Sequence, residues 1–334
     1  MTYLPQIRIL VPSAQVSSYT TGVLSLPSAR GAFVPPPVNR ALFAGGTSTS
    51  DVVVNVISRI NVASAGNAVD FGDLLSDTGS TNGFSSSTRG IIVGGYTPSV
   101  TNVIQYVTMA TDGNSTDFGD LTVSRAASAS CSNATRGLTA GGNYGGGPSN
   151  VIDYVTIATT GNATDFGDLV AARYDNSGLS STTRGVFIDG LDGYTWYGTI
   201  NYVTIASTGN TTSFGSMDWG ANSLHKACSS NTRGLIVGGH PSGGRVNNEI
   251  EYITIASTGN STNFGSLSPG RYLPLCTSNS ITGILSGGVA IGGAGYLVTI
   301  EYVTIATLGN PSNFGDLTVA QSGGAAFSDS HGGL

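Results

Sequence analysis

Charged residues are scarce in this sequence, and lysine is almost absent. Only 10% of the 334 residues are charged, and Lys226 is the single lysine. Helices depend on runs of Ala, Leu, Glu, Lys, Arg and Gln, so this composition disfavours a helical fold. The formal charge of −6 and the lack of any Lys and Arg cluster leave no basic surface for nucleic acids or anionic membranes.

Long hydrophobic runs and paired cysteines are also missing. No stretch of 18 apolar residues occurs, and the start MTYLPQIRILVPSAQ lacks the basic region and apolar run of a signal peptide. We therefore expect a soluble protein, not inserted in a membrane and not secreted by a recognisable N-terminal route. Cys131, Cys228 and Cys276 lie at similar places in three copies of a repeat, which predicts free thiols too far apart to bridge.

Glycine is abundant, and one motif recurs along the chain. There are 49 Gly, and 39% of the residues are hydrophobic, enough to bury a large core. The string YVTIASTGNTTSFGS at 202 to 216 has five near-copies. The Phe shared by all six copies is Phe71, Phe118, Phe166, Phe214, Phe264 and Phe314. Successive Phe residues are 47, 48, 48, 50 and 50 positions apart. A fixed period near 48 residues is typical of propellers and solenoids.

Each copy divides into four strand-like pieces. In the second copy they are residues 89 to 95, 104 to 110, 116 to 123 and 125 to 133. Ile104 and Tyr106 alternate with Val107 and Met109, which predicts a strand with two apolar faces. The Gly-Asn pair is expected in a tight hairpin turn that needs positive φ. Six such units predict an all-β fold, a six-bladed β-propeller of four-stranded antiparallel blades over residues 24 to 334.

The repeat resembles the kelch repeat. RGLIVGG with Tyr252 and Phe264, and RGLTAGG with Tyr154 and Phe166, follow the kelch order of Arg, Gly-Gly, Tyr and a second aromatic residue, although that aromatic residue is usually Trp in kelch repeats. The consensus sequence TRG…GG…YVTIA.TGN.TDFGDL resembles a narrower group, the kelch-like arrays in virion proteins of marine tailed phages, especially cyanophages. This resemblance implies a structural or host-recognition protein on the exterior of the virion.

Two segments compete to complete the first blade. The C-terminal stretch TVAQSGGAAFSDSHGGL aligns with TVSRAASASCSNATRGL and would supply a leftover strand. The N-terminal stretch SLPSARGAFVPPPVNR is the alternative, but Pro35, Pro36 and Pro37 have no N–H to donate to a sheet. We expect the C-terminal strand to pin the two ends together. Residues 1 to 23 match no repeat and are expected either to form an attachment arm or to pack across one face.

The loops that follow Gly-Gly vary between copies, whereas the other links are nearly constant. A constant scaffold with one variable set of loops is typical of a recognition surface. The alternative is that the loop sequences vary only because nothing constrains them. Aromatic rings there can stack on sugars or anchor a protein, or Trp196 can fold back over its own blade. The candidate binding residues are Tyr194, Trp196 and Tyr197, with Tyr144, Tyr96 and His240.

Catalytic, metal and cofactor motifs are not found. LDGYTW is only half of a sialidase box, with Asp192 one place off, and the three histidines occupy unrelated repeat positions. The acids of TDFGD are replaced by Ser or Asn in copies four and five, so a turn cap or a pairing with the Arg of TRG is expected instead of a calcium site.

We therefore expect a non-enzymatic phage virion protein without a cofactor. Its role would be a tail or fibre appendage whose loops recognise the host surface, through a glycan or a protein. The alternatives are a capsid or tail decoration or spacer protein that docks through its arm or rim, and a lectin-like propeller. Its partners would be other virion proteins, with virion symmetry as the source of any homo-oligomer.

Overall fold

The computed structural model describes residues 39 to 241, 248 to 293 and 295 to 334. This part of the chain is all-β, as expected, and Thr49–Asp51 is the one helical turn in it, a 3-10 turn. No helix among these residues has the length and hydropathy to cross a membrane. The expected arm at 1 to 23 and the proline run at 35 to 37 lie outside the described residues.

Six four-stranded antiparallel sheets account for most of the described chain. We name the strands of each sheet a, b, c and d in hydrogen-bonding order. In this order, sheet 1 is Ala325–Ser328, Arg40–Ala44, Val56–Asn61 and Val69–Asp73; sheet 2 is Asn82–Ser85, Arg89–Val93, Val103–Thr108 and Thr116–Asp120; sheet 3 is Ala129–Ser132, Arg136–Ala140, Ser149–Thr156 and Thr164–Arg173; sheet 4 is Ser177–Ser180, Arg184–Ile188, Thr199–Thr204 and Thr212–Ser216; sheet 5 is Lys226–Ser229, Arg233–Val237, Glu249–Thr254 and Thr262–Ser266; and sheet 6 is Leu275–Ser278, Thr282–Ser286, Thr299–Thr304 and Ser312–Asp316.

Short strands join the segments that enter and leave these sheets. They form three small sheets: Thr47–Ser48 with Gln321–Ser322, Asn222–Ser223 with His240–Pro241, and Arg271–Tyr272 with Val289–Ala290 and Gly295–Tyr296.

Sheet 1 combines the two ends of the described chain. Its a-strand, Ala325–Ser328, runs antiparallel to Arg40–Ala44, with Ala41 opposite Ser328 and Ala44 opposite Ala325. The C-terminal strand therefore completes the first sheet, which confirms the expectation that it, and not the N-terminal stretch, would do so. The edge of Arg40–Ala44 is covered rather than left open to pairing with another chain.

Six hydrophobic clusters lie between the sheets. Ile104 and Tyr106 of sheet 2 pack with Val155 of sheet 3, whereas Val107 and Met109 belong to the cluster shared with sheet 1. The predicted alternation of this strand is therefore confirmed. Other clusters join sheets 3 and 4, 4 and 5, and 5 and 6, and one joins sheet 6 to sheet 1.

The Asn of the TGN motif connects neighbouring sheets. Asn114 Oδ1 accepts a hydrogen bond from the backbone N–H of Asp73 at 3.0 Å, across the junction of sheets 2 and 1. The equivalent bonds join Asn162 to Asp120, Asn210 to Asp168, Asn260 to Ser216, Asn310 to Ser266, and Asn67 to Asp316. None of these Asn residues has positive φ. The prediction that the Asn is a turn residue with positive φ was therefore wrong. The motif recurs because the Asn of each copy bonds to the neighbouring sheet.

Serines at the ends of the a-strands form a second set of junctions. The hydroxyl of Ser132 donates to the carbonyl oxygen of Ser85 at 2.8 Å, and that of Ser85 donates to Ser328 at 2.7 Å. The remaining bonds run from Ser328 to Ser278, Ser278 to Ser229, Ser229 to Ser180, and Ser180 to Ser132. The six bonds make a continuous circuit that visits every a-strand and returns to Ser85.

The Arg of TRG bonds to the next sheet and not to the acids of TDFGD. Arg89 stacks on Tyr106, 4.4 Å from the ring centroid, and donates to the carbonyl oxygen of Ile157 at 2.9 Å. The expected Arg–acid pairing was therefore wrong here. In sheet 1, Arg59 occupies the position of that Tyr, and it binds the carboxylate of Asp112 with two bonds of 2.8 Å. These bonds lower the pKa of Asp112.

Candidate functional site

The variable loops and the constant links lie at opposite ends of each sheet. In sheet 3, Arg136 pairs with Thr156 at one end, next to the a–b and c–d links, and Ala140 pairs with Ile152 at the other. The other sheets have the same register. We call the end with the b–c loops the loop edge and number each loop by its sheet. The expected segregation of loops and links is confirmed within each sheet.

Loop 4 carries the most exposed aromatic residue among the described residues, Tyr194, which is 92% exposed. The carboxylate of Asp192 holds this loop: it accepts backbone N–H bonds from Thr195 at 2.9 Å and Tyr194 at 3.0 Å. It also accepts the hydroxyl of Tyr197 at 2.8 Å. These donors, Thr195 first, lower the pKa of Asp192 to about 2. The loop is therefore preorganised, and a ring presented on it loses little freedom on binding.

Arg173, at the end of a sheet 3 strand, anchors loop 4 from the neighbouring sheet. Its guanidinium carbon lies 3.6 Å from the ring centroid of Tyr197, so one face of that ring is covered. Trp196 is half-buried and pairs through its backbone with Leu191, which also pairs with Tyr174. Of the three predicted residues of this loop, Tyr194 offers the most ring surface to a ligand, while Trp196 and Tyr197 build its base.

The other predicted residues lie in different loops. Tyr96 in loop 2 and Tyr144 in loop 3 are about half exposed. His240 in loop 5 lies edge-on to Tyr272, with ring centroids 6.0 Å apart. The structure therefore spreads the six predicted residues over four loops of the loop edge and does not gather them around one point.

A second aromatic group was missed from the sequence. Next to the His240 and Tyr272 pair, the hydroxyl of Tyr296 in loop 6 donates to Asp51 of loop 1. Burial and the adjacent Asp51 carboxylate raise the pKa of Tyr296 to about 12. Tyr272 and Tyr296 stand in GRYLP and AGYLV, where the sixth copy departs from the others. That departure could have pointed to Tyr272 and Tyr296. The contact of Tyr296 with Asp51 could not be predicted in this way, because the two residues are 245 positions apart in the sequence.

His225 and His331 are packed as neutral structural groups, since burial lowers the pKa of both. The Nε2–H of His225 donates to the Asp189 carbonyl oxygen and its Nδ1 accepts the hydroxyl of Ser177; burial lowers its pKa to about 4. Among the described residues, no three His, Cys, Asp or Glu side chains group as metal ligands would.

The third strands carry buried polar groups that differ between sheets. Asp153 pairs with the fully buried Arg125, and Glu301 pairs with Arg271. Asn222 stands in the corresponding place in sheet 5. Among the described residues the donors to Glu251 are therefore neutral: the Ser261 hydroxyl at 2.8 Å and the Trp219 N–H at 3.0 Å. Burial raises the pKa of Glu251 to about 7.

Glu251 is expected to make stability depend on pH. The folded protein holds this proton more tightly than the unfolded chain, so the free energy of unfolding should fall as pH rises from about 4.5 to about 7. Glu251→Gln should remove roughly 2–3 kcal/mol of that fall, measured by denaturant unfolding at pH 4 and pH 8. The exposed Asp77→Asn is the control and should behave like the parent. A parallel pH dependence of Glu251→Gln and the parent would contradict this prediction.

Comparison with known proteins assigns no family. The sequence matches no protein-family model, and no curated protein is detectably similar to it.

Proposed function

We propose that the six sheets form a closed six-bladed propeller of the kelch type. Three sets of contacts support this proposal, since each runs through all six sheets and joins the sixth to the first. They are the hydrophobic clusters, the Asn bonds of the TGN motif and the serine circuit. In such a propeller the six loop edges share one face, and the c–d links that carry the TGN motif share the other.

The role we propose is non-enzymatic recognition by the loop edge. The observation that carries it is loop 4, where a rigid, hydrogen-bonded loop presents the 92% exposed ring of Tyr194 above an otherwise constant scaffold. Aromatic rings held in this way stack on sugar rings or fill a pocket on a partner protein. The Asp192 carboxylate and Arg173 guanidinium beside it add polar groups that can orient a ligand.

The setting we propose is the exterior of a marine phage particle, where the protein serves as a tail or fibre appendage. Support for this comes from the sequence of the repeat, which resembles that of the kelch-like arrays in cyanophage virion proteins. Near-identical copies also fit a protein that needs rigidity, because the same Asn and Ser bonds are reproduced at each junction.

Binding to host cells tests this proposal. Fluorescently labelled protein is titrated onto marine cyanobacterial cells and onto a glycan array, and the double variant Tyr194→Ala, Trp196→Ala is compared with the parent. We expect a loss of affinity of roughly tenfold or more. The control is Leu308→Ala, because Leu308 is a 60% exposed apolar residue at the opposite end of its sheet, and it should bind like the parent.

Two results would overturn the role of loop 4. One is a binder whose affinity is unchanged by the double variant, and the other is an equal loss in the Leu308→Ala control. If the protein binds neither cells nor glycans but is incorporated into virions, the spacer alternative replaces host recognition.

A further inference from the structure

A cavity of about 70 Å³ lies among the a-strands of all six sheets. At one end, residues after the last strand cover it. The Nε2–H of His331 donates to the Ser85 carbonyl oxygen at 3.0 Å, and the backbone N–H of Gly332 donates to Ser229 at 2.9 Å. At the other end lies a second, smaller cavity of about 10 Å³, roughly the space of one water molecule, which shares Lys226 with the first and which we call the neck.

Lys226 is the one cationic side chain of the cavity lining. It is the only lysine of the chain, and it lines both the cavity and the neck. The other titratable groups of the lining are neutral, since burial raises the pKa of the Cys131, Cys228 and Cys276 thiols and lowers that of His331. Burial also lowers the pKa of Lys226, whereas the nearby Asp175 carboxylate raises it, and an anion bound beside the ammonium would stabilise its charged form in the same way.

Two donors of the lining have no partner. Among the described residues, the Lys226 ammonium makes no hydrogen bond or ion pair, and the Ser130 hydroxyl, 93% buried, has no acceptor or donor within reach. A buried hydroxyl without a partner is destabilising, so the Ser130 hydroxyl is expected to bond to a ligand or a water molecule in the cavity. The matching position of sheet 6 is Leu275, so this position does not require a lysine for folding.

We propose that this cavity binds a small monovalent anion, of halide to acetate size, with the Lys226 ammonium and the Ser130 hydroxyl as its donors. A dianion such as phosphate does not fit the single positive charge or the volume. The site is independent of the recognition function proposed for the loop edge.

Asp175 sets the strength of this site. It lines the neck together with His225 and Lys226, and its carboxylate attracts Lys226 from beyond ion-pair distance. Burial raises the pKa of Asp175 to about 6, so near neutral pH its negative charge competes with the anion. Asp175→Asn is therefore expected to bind the anion more tightly, the opposite of the effect expected for variants that remove a donor.

The probe is bromide, located by anomalous diffraction from crystals of the full chain soaked in sodium bromide. Solution binding is followed by line broadening of the ³⁵Cl resonance in sodium chloride. For the parent we expect an anomalous peak in the cavity within hydrogen-bonding distance of Lys226 and Ser130. Broadening should fall roughly tenfold in Lys226→Met, fall less in Ser130→Ala, and rise in Asp175→Asn.

Water alone in the cavity, peaks confined to the outer surface, or an equal cavity peak in Lys226→Met would each overturn the proposal. If Lys226→Met does not fold, Ser130→Ala and Asp175→Asn decide it, because their effects on chloride broadening must have opposite signs. A peak in the crystal without any broadening in solution would mean an adventitious ion only, and that result would also overturn the proposal.

Discussion

Replacing Gly137 with alanine is expected to lower the free energy of unfolding by about 3 kcal/mol or more. A Cβ on Gly137 would lie 1.8 Å from Cε2 of Phe84, on the a-strand of the neighbouring sheet. The Phe84 ring is buried in the cluster between sheets 2 and 3 and has little room to move. Thermal unfolding, with a matched denaturant titration, measures the effect.

The chain supplies its own control for this prediction. Gly283 holds the same place in sheet 6, but there a Cβ would meet Cys228 Sγ at 3.4 Å and other side chains no closer than 3.2 Å. Gly283→Ala should cost less than about 1 kcal/mol. In Gly137→Ala, the added change Phe84→Cys should recover part of the loss, because it reproduces the pairing of Cys228 with Gly283. If both alanine variants lowered the free energy of unfolding equally, contact with the neighbouring a-strand would not explain the Gly that follows the Arg of each b-strand.

Removing residues 325 to 334 is expected to abolish cooperative folding. The deletion takes the a-strand of sheet 1, the buried ring of Phe327 and one member of the serine circuit. Loss of a buried Phe alone costs about 3–5 kcal/mol, and the exposed edge of Arg40–Ala44 invites aggregation. Circular dichroism melting and size-exclusion chromatography measure the outcome, and a soluble truncated chain with an unchanged melting temperature would contradict it.

A peptide of residues 321 to 334 added to the truncated chain provides the control. It should restore a cooperative transition, and the same peptide with Phe327→Ala should not. Rescue by both peptides would mean that Phe327 does not anchor the strand.

The repeat period and the four strands of each unit were readable from the sequence, because hydrophobic alternation and turn residues are local signals. The C-terminal strand was readable too, since its residues align with an a-strand of another copy. Strand ends were less accurate. The piece predicted at 116 to 123 ends at Asp120, and the piece at 125 to 133 forms a strand only over Ala129–Ser132.

Contacts between copies could not be read from one copy. The Asn of TGN looked like a turn residue because its partner is the backbone of another sheet. The Ser at the end of each a-strand recurs with the repeat period, but nothing in the sequence showed that these serines bond to one another. Cys276 was aligned with Cys131 and Cys228, but strand pairing places Thr277 at their position. Cys276 therefore joins Cys228 in one cluster, although all three thiols are free as expected.

The candidate site was predictable in part, for the same reason. Tyr194 stands out because three aromatic residues occur within four positions of a variable loop. Arg173, which covers Tyr197, lies in the preceding copy, and Asp51, which binds Tyr296, lies at the far end of the chain. Only the fold brings these residues together.

An experimental structure of the full chain by crystallography tests the central claim most directly. The account predicts six four-stranded sheets in a closed ring, with Ala325–Ser328 paired to Arg40–Ala44 and serine hydroxyls bonded in a circuit around the axis. An open array, a different number of sheets, or the segment before residue 39 in the place of the C-terminal strand would contradict it.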